Sequence, residues 1–163
     1  MTDEAVKGFD TSTKVNPPLR SAEDVAAIRE GLKDGTIDCI VTDHAPHTKE
    51  DKETGFDTAP FGMIGLETSV GLTMTELVHK KVLTLEQMAD RMSAAPARIA
   101  GLENKGKIVE GFDADITIID PDKEWEVRVE DFWSKSKNSP FVGRKLKGRV
   151  EVTICGGKIT YQV

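Results

Sequence analysis

Apolar and polar positions follow helical and strand-like periods in turn, with sharp boundaries between them. The first twenty residues have little period. They end in Lys14-Val15-Asn16-Pro17-Pro18-Leu19-Arg20, where adjacent prolines forbid helix and force an extended path. Ser21 then opens a helix as a good N-cap, with Asp24 at the capping-box position and Glu23 adding negative charge to the first turn. Val25, Ile28 and Leu32 give that helix one apolar face, and Gly35 is placed to stop it. Ile37-Asp38-Cys39-Ile40-Val41-Thr42 reads as a short, largely buried strand. Asp43 ends it and opens a polar loop reaching to about Gly62, a length uncommon in compact domains unless the loop is functional or disordered. A helical period resumes from Ile64 to about Lys80, with Leu66, Val70, Leu77 and Val78 as core positions. Thr84 and Gln87 make a capping box for a shorter helix burying Leu85, Met88 and Met92, and a further turn or two from Ala94 to Ala100 stops at Gly101.

The character changes near Asn104. Val109 to Asp115 is turn chemistry, ahead of a strand from Ile116 to Ile119 and a second around Trp125 to Val127. The tail predicts a hairpin: Val150, Val152 and Ile154 alternate with polar residues, Gly156-Gly157 supplies a two-residue turn, and Ile159, Tyr161 and Val163 alternate back. The first two thirds therefore read as α/β and the last third as all-β.

Composition narrows the classes of function. With 38% apolar and 31% charged residues the chain has a soluble, globular balance. Its 163 residues fall short of a complete (β/α)8 barrel, which takes roughly 200 at least. A net charge of −6 argues against a nucleic-acid partner. No apolar run approaches the roughly 18 residues of a membrane span, and the N-terminus has no signal-peptide pattern. Cys39 and Cys155 fit no zinc-ribbon or disulfide spacing; Cys39, inside the strand-like run, reads as a buried thiol in a reducing cytoplasm.

Asp43 and His47 lead the candidate chemistry. A carboxylate at the C-terminal end of a buried strand is where α/β sheets and barrels place reacting groups, and Asp43 is suited to ligating a metal and moving a proton. His47, four residues on and past Pro46, can donate to an anionic substrate. Spacing alone favours a turn-capping Asp and solvated loop histidines, since one Asp and two His fall short of a zinc site. Asn16 can bond a ligand or simply start a turn. Phe61-Gly62 can bring backbone close to a ligand or serve as a hinge. The basic run Lys135, Lys137, Arg144, Lys145, Lys147, Arg149 reads as a solvated face, His79 as a surface residue, and Met74, Met88 and Met92 as core filler. Phosphate-loop, dinucleotide and nucleophile-elbow motifs are absent.

Four blocks carry a resemblance: Lys14 to Arg20, Asp43-His44-Ala45-Pro46-His47, Ala59-Pro60-Phe61-Gly62-Met63-Ile64-Gly65-Leu66-Glu67-Thr68, and Ser139-Pro140-Phe141-Val142-Gly143-Arg144. Together they resemble the C-terminal part of bacterial dihydroorotases, of the amidohydrolase superfamily, with Gly111 to Asp115 marking entry into the small β domain. The resemblance implies a metal-dependent hydrolase on a (β/α)8 barrel that interconverts N-carbamoyl-L-aspartate and dihydroorotate in pyrimidine synthesis. It implies residues 1–103 as the last barrel strands and helices, and residues 104–163 as a small β-sandwich segment. It assigns Asp43 as metal ligand and proton carrier, Asn16 and His47 as substrate-holding side chains, and Phe61 and Gly62 as the loop whose backbone meets the substrate ring.

The cofactor implied is zinc. The family's His-x-His, bridging ligand, later histidine ligands and carboxylate-binding arginine have no counterpart among His44, His47, His79 and their surroundings. The chain is thus expected to be truncated, to resemble roughly the last 40% of such an enzyme, to retain no zinc alone, and to be inactive alone. The partners expected are the small-molecule substrate, a second copy, or aspartate transcarbamoylase, with neither nucleic acid nor membrane. Two alternatives stand beside this reading: a non-catalytic half-barrel working through a partner chain, and an allantoinase or hydantoinase fragment.

Overall fold

A computed structural model describes residues 1–163. The helices are α1 (Ala22–Asp34), α2 (Lys49–Lys52), α3 (Ser69–Thr73), α4 (Leu85–Ala89) and α5 (Ala95–Ile99). The strands are β1 (Ile116–Glu126), β2 (Lys145–Cys155) and β3 (Lys158–Gln162), in one sheet of order β1-β2-β3. No helix is long and apolar enough to cross a membrane. The elements fall into two compact units, one of residues 1–28, 42–69 and 126–145, the other of 29–41, 70–125 and 146–163.

The first unit has an interior rich in polar groups. Two 3-10 turns, Asp3–Gly8 and Thr11–Thr13, organise the aperiodic N-terminus, and the Asp3 N–H donates to the Arg20 carbonyl at 2.9 Å. Ala59, Ile64, Val127 and Phe132 are its buried apolar side chains, alongside Thr13, Lys52, Thr68, Asn138 and Ser139. Buried polar groups need partners, and most of these have them in loop backbone.

The second unit carries the larger apolar core. Leu32, Leu77 and Leu83 pack with Ile37, Ile40 and Val82, while Met74 and Leu146 are buried almost completely. Leu146 and Trp125 press on Gly71, where a Cβ would stand 2.7 Å from the indole. The hairpin forms with β2 and β3 antiparallel, Cys155 opposite Lys158 across Gly156-Gly157, and a bulge between Thr153 and Ile154.

Several expectations hold in detail. Helix α1 carries the Ser21–Asp24 box, with Asp24 N–H to Ser21 Oγ at 3.2 Å and the Asp24 carboxylate back on the Ser21 N–H at 3.2 Å. Thr84 and Gln87 cap α4 reciprocally. Others are corrected. Ile37–Thr42 is not a strand: the Ile37 N–H goes to Gly31 and the Ile40 N–H to Arg91, both at 2.9 Å, so no ladder forms. The helix expected from Ile64 starts at Ser69, with the Gly65 and Leu66 N–H groups ahead of it donating to a histidine ring; it then widens to π geometry over Met74–Val78. Leu66, Leu85 and Ile28 are exposed, and Cys39 is only half-buried. β1 runs unbroken through Asp120-Pro121 instead of forming two strands. Inside the long loop, Thr48 and Asp51 make a capping box for α2 that the polar composition concealed.

Candidate active site

All five sequence-derived site residues lie in the first unit. Asp43 takes a left-handed backbone, φ 44°, an uncommon state for a residue with a side chain. Its carboxylate is exposed and bonds to no other group of the chain. The next residue fixes that turn. His44 Nδ1 accepts the Gly65 N–H at 3.1 Å and the Leu66 N–H at 3.4 Å, so the His44 ring proton sits on Nε2. One residue further, the Ala45 N–H donates to the Met63 carbonyl at 2.9 Å.

His47 closes the loop onto Phe61. Its Nε2 lies 2.9 Å from the Phe61 carbonyl, which can only accept, so Nε2 is protonated and Nδ1 is the nitrogen left for another group. Gly62 has φ 124° and lies against Ala45: a Cβ there would sit 2.5 Å from the Ala45 Cβ and 3.2 Å from His47 Nε2. Only glycine fits this approach. The Gly62 N–H donates to the Lys14 carbonyl at 2.9 Å, which ties the loop to the segment holding Asn16. The structure therefore brings His47, Phe61 and Gly62 into direct contact. Asn16, exposed and followed by a cis bond to Pro17, makes no hydrogen bond to any of them, and neither does Asp43.

Four supporting residues were missed in the sequence. Asn138 receives the His47 N–H on Oδ1 at 3.3 Å and donates through Nδ2 to the Ala45 and Gly62 carbonyls at 3.0 and 3.2 Å. Lys14 lays its ammonium 4.7 Å from the Phe61 ring centre and donates to the Asp57 carbonyl at 2.9 Å. Lys52, 8% exposed, donates to the Thr11 and Pro60 carbonyls at 2.9 and 2.8 Å. Burial pushes the Lys52 ammonium below the ordinary lysine range, Lys14 adds to that shift, and Asp10 opposes it. His44 is the fourth. Only the prolines and glycine around these positions gave a local signal; a side chain reaching across scores of residues to a carbonyl gives none.

The donor set does not fit zinc. No three His, Cys, Asp or Glu side chains stand close enough together to hold a metal, and zinc sites take at least three protein ligands. What the chain offers is an exposed carboxylate at Asp43 and, four residues on, an imidazole held against the Phe61-Gly62 backbone.

Comparison with known proteins gives the family. The model of the amidohydrolase family matches residues 3–160. The chain belongs to the amidohydrolase family. A dihydroorotase from Pelotomaculum thermopropionicum is 60% identical over 162 residues, and one from Endomicrobium trichonymphae is 55% identical over 163. These alignments cover 99% and 100% of this chain but 38% and 39% of the relatives, so the chain spans under two fifths of their length. Among solved amidohydrolase structures, an L-hydantoinase (dihydropyrimidinase) from Arthrobacter aurescens superposes with a TM-score of 0.93 at 36% identity, over 99% of this chain and 37% of its own. A D-hydantoinase from Thermus sp. gives 0.85 at 28% identity, over 93% of this chain and 34% of its own.

Proposed function

We propose that the chain contributes the Asp43 side of a dihydroorotase-type amidohydrolase site, which interconverts N-carbamoyl-L-aspartate and dihydroorotate. The observation that carries this reading is the local contact of His47 Nε2 with the Phe61 carbonyl and of the Gly62 N–H with the Lys14 carbonyl, in a chain 60% identical to a relative named dihydroorotase. In this reading residues 1–103 are the last strands and helices of a (β/α)8 barrel and residues 104–163 a small β domain. The likeness to hydantoinase structures over nearly the whole chain supports that assignment.

Each residue then has a chemical task. Asp43 is the acid/base, receiving a proton from the attacking water and returning it to the ring nitrogen as the amide opens. Its exposure and lack of partners leave both carboxylate oxygens available. His47 meets the substrate through Nδ1, which in this tautomer accepts a substrate N–H and donates to an anionic group only when the ring is doubly protonated, since Nε2–H is engaged by Phe61. At the loop, the Gly62 N–H and carbonyl are both already bonded, so the Phe61 N–H is the backbone donor left to meet the ring. Asn16 supplies a side-chain amide. The remaining metal ligands must come from polypeptide outside these 163 residues.

The test is reconstitution. Alone with added zinc, the purified chain is expected to give no measurable hydrolysis of dihydroorotate. Mixed with the N-terminal remainder of a related dihydroorotase it should gain turnover, and Asp43→Asn should lower that turnover at least about a hundredfold, the scale of general acid–base catalysis. Turnover by the chain alone, or a reconstituted rate indifferent to Asp43→Asn, would overturn the reading. The close superposition on an L-hydantoinase favours one other substrate class, cyclic ureides such as hydantoins, and preference for those in the same assay would replace the first assignment.

A further inference from the structure

Two loops of the site are joined by one side chain from a third segment. Asn138 lies 7% exposed, its own carbonyl accepts the Ile64 N–H at 3.0 Å, and its amide reaches His47, Ala45 and Gly62. We propose that Asn138 is a positioning residue, fixing the separation of the Asp43–His47 and Phe61–Gly62 loops and so where the His47 imidazole and Phe61 N–H meet substrate. The proposal rests on the reading that these loops bind the substrate.

The chemistry of the three bonds selects asparagine. An N–H from His47 needs an acceptor, and two carbonyls need donors; a primary amide has one oxygen and two N–H groups on a single planar head. Aspartate offers the acceptor but turns an oxygen toward both carbonyls. Leucine, of similar size, offers neither. Burial keeps water from filling in, so an unmet carbonyl stays unmet. The clasp also closes against a stop, because Gly62 already lies against Ala45 with no room for a Cβ. Attraction from one side and contact from the other leave one loop spacing.

Asn138→Asp and Asn138→Ala in the 163-residue chain provide the test, followed by amide exchange and by the ring nitrogen resonances of His47. In Asn138→Ala the His47 backbone N–H, which loses its acceptor, and in both variants the Gly62 N–H, whose loop loses its clasp, should exchange about tenfold faster or more, the equivalent of about one hydrogen bond lost. Amides of Val152 and Ile154, in the other unit, should keep their rates. Unchanged exchange at His47 and Gly62, or a uniform rise everywhere, would overturn the proposal. Asn138→Asp preserves volume and carries the experiment if the alanine variant does not fold. In the reconstituted enzyme, Asn138→Asp should raise KM for dihydroorotate about tenfold with kcat changed less. A fall in kcat alone marks a loss of folded enzyme and overturns the positioning role. Absence of turnover in the wild-type complex sinks the functional reading instead, leaving the exchange result to judge the clasp.

Discussion

Lys52 shows how much depends on single polar side chains in the first unit. Its ammonium is buried and donates to two carbonyls, from Thr11 and Pro60, while Thr11 Oγ1 donates to the Lys52 carbonyl at 2.6 Å. Lys52→Met keeps the aliphatic stem but strands both acceptors, and should lower unfolding free energy by about 2–4 kcal/mol in urea titration. Carboxylates held by hydrogen bonds set the acid response, four aspartates among them. Hydrogen bonds from Ser21 to Asp24, from the Thr36 backbone to Asp34, from Lys105 to Asp115 and from Lys147 to Asp122 each hold the acid below its ordinary value of 3.8. Their stabilisation is complete above that value and is lost as pH falls through the lower folded-state values. The thermal midpoint should therefore decline below about pH 4, and Asp24→Asn and Asp34→Asn should each flatten that decline. At this scale the sequence was informative where partners are local, as in Ser21 with Asp24. It was silent on Lys52 and Asn138, whose partners lie far along the chain.

Elements were legible in proportion to how local their stabilisation is. Capping boxes, the α4 boundary and the Gly156-Gly157 hairpin follow from a few neighbouring residues, and each is present as the pattern implied. The Ile37–Thr42 run has strand composition without a strand, since a ladder needs a neighbour that supplies donors and acceptors along its length. Leu85 keeps its place in the helical period yet faces solvent, because period says which residues share a face and not what covers it; Leu66 lies ahead of the helix start. Packing between β2 and the π-widened turn sets a sharper constraint. Gly148 has φ 95°, and a Cβ there would fall 2.5 Å from the Met74 Cβ. Gly148→Ala adds a clash with buried side-chain atoms to a strained backbone and should destabilise by about 2–4 kcal/mol in the same urea titration.

For the whole molecule, the exposed apolar side chains matter most. Val41 is 76% exposed, Ile108 82% and Trp133 84%, and the Ile37–Thr42 backbone is left without a sheet neighbour. Unpaired extended backbone and uncovered apolar groups both favour association. Light scattering at tens of micromolar, a range where such contacts are populated at roughly 6–7 kcal/mol of association energy, should show species larger than 17.9 kDa. A monodisperse monomer would show that these side chains tolerate water. Family membership, the candidate residues and the capped helices were written in the sequence, because motif chemistry and caps are settled by residues a few positions apart. The spacing of His47 from Phe61, the tautomers of both loop histidines and the clasp of Asn138 were decided only by tertiary structure. Each depends on groups that meet in space from separate stretches of chain, and hydrogen-bond geometry has no period in sequence.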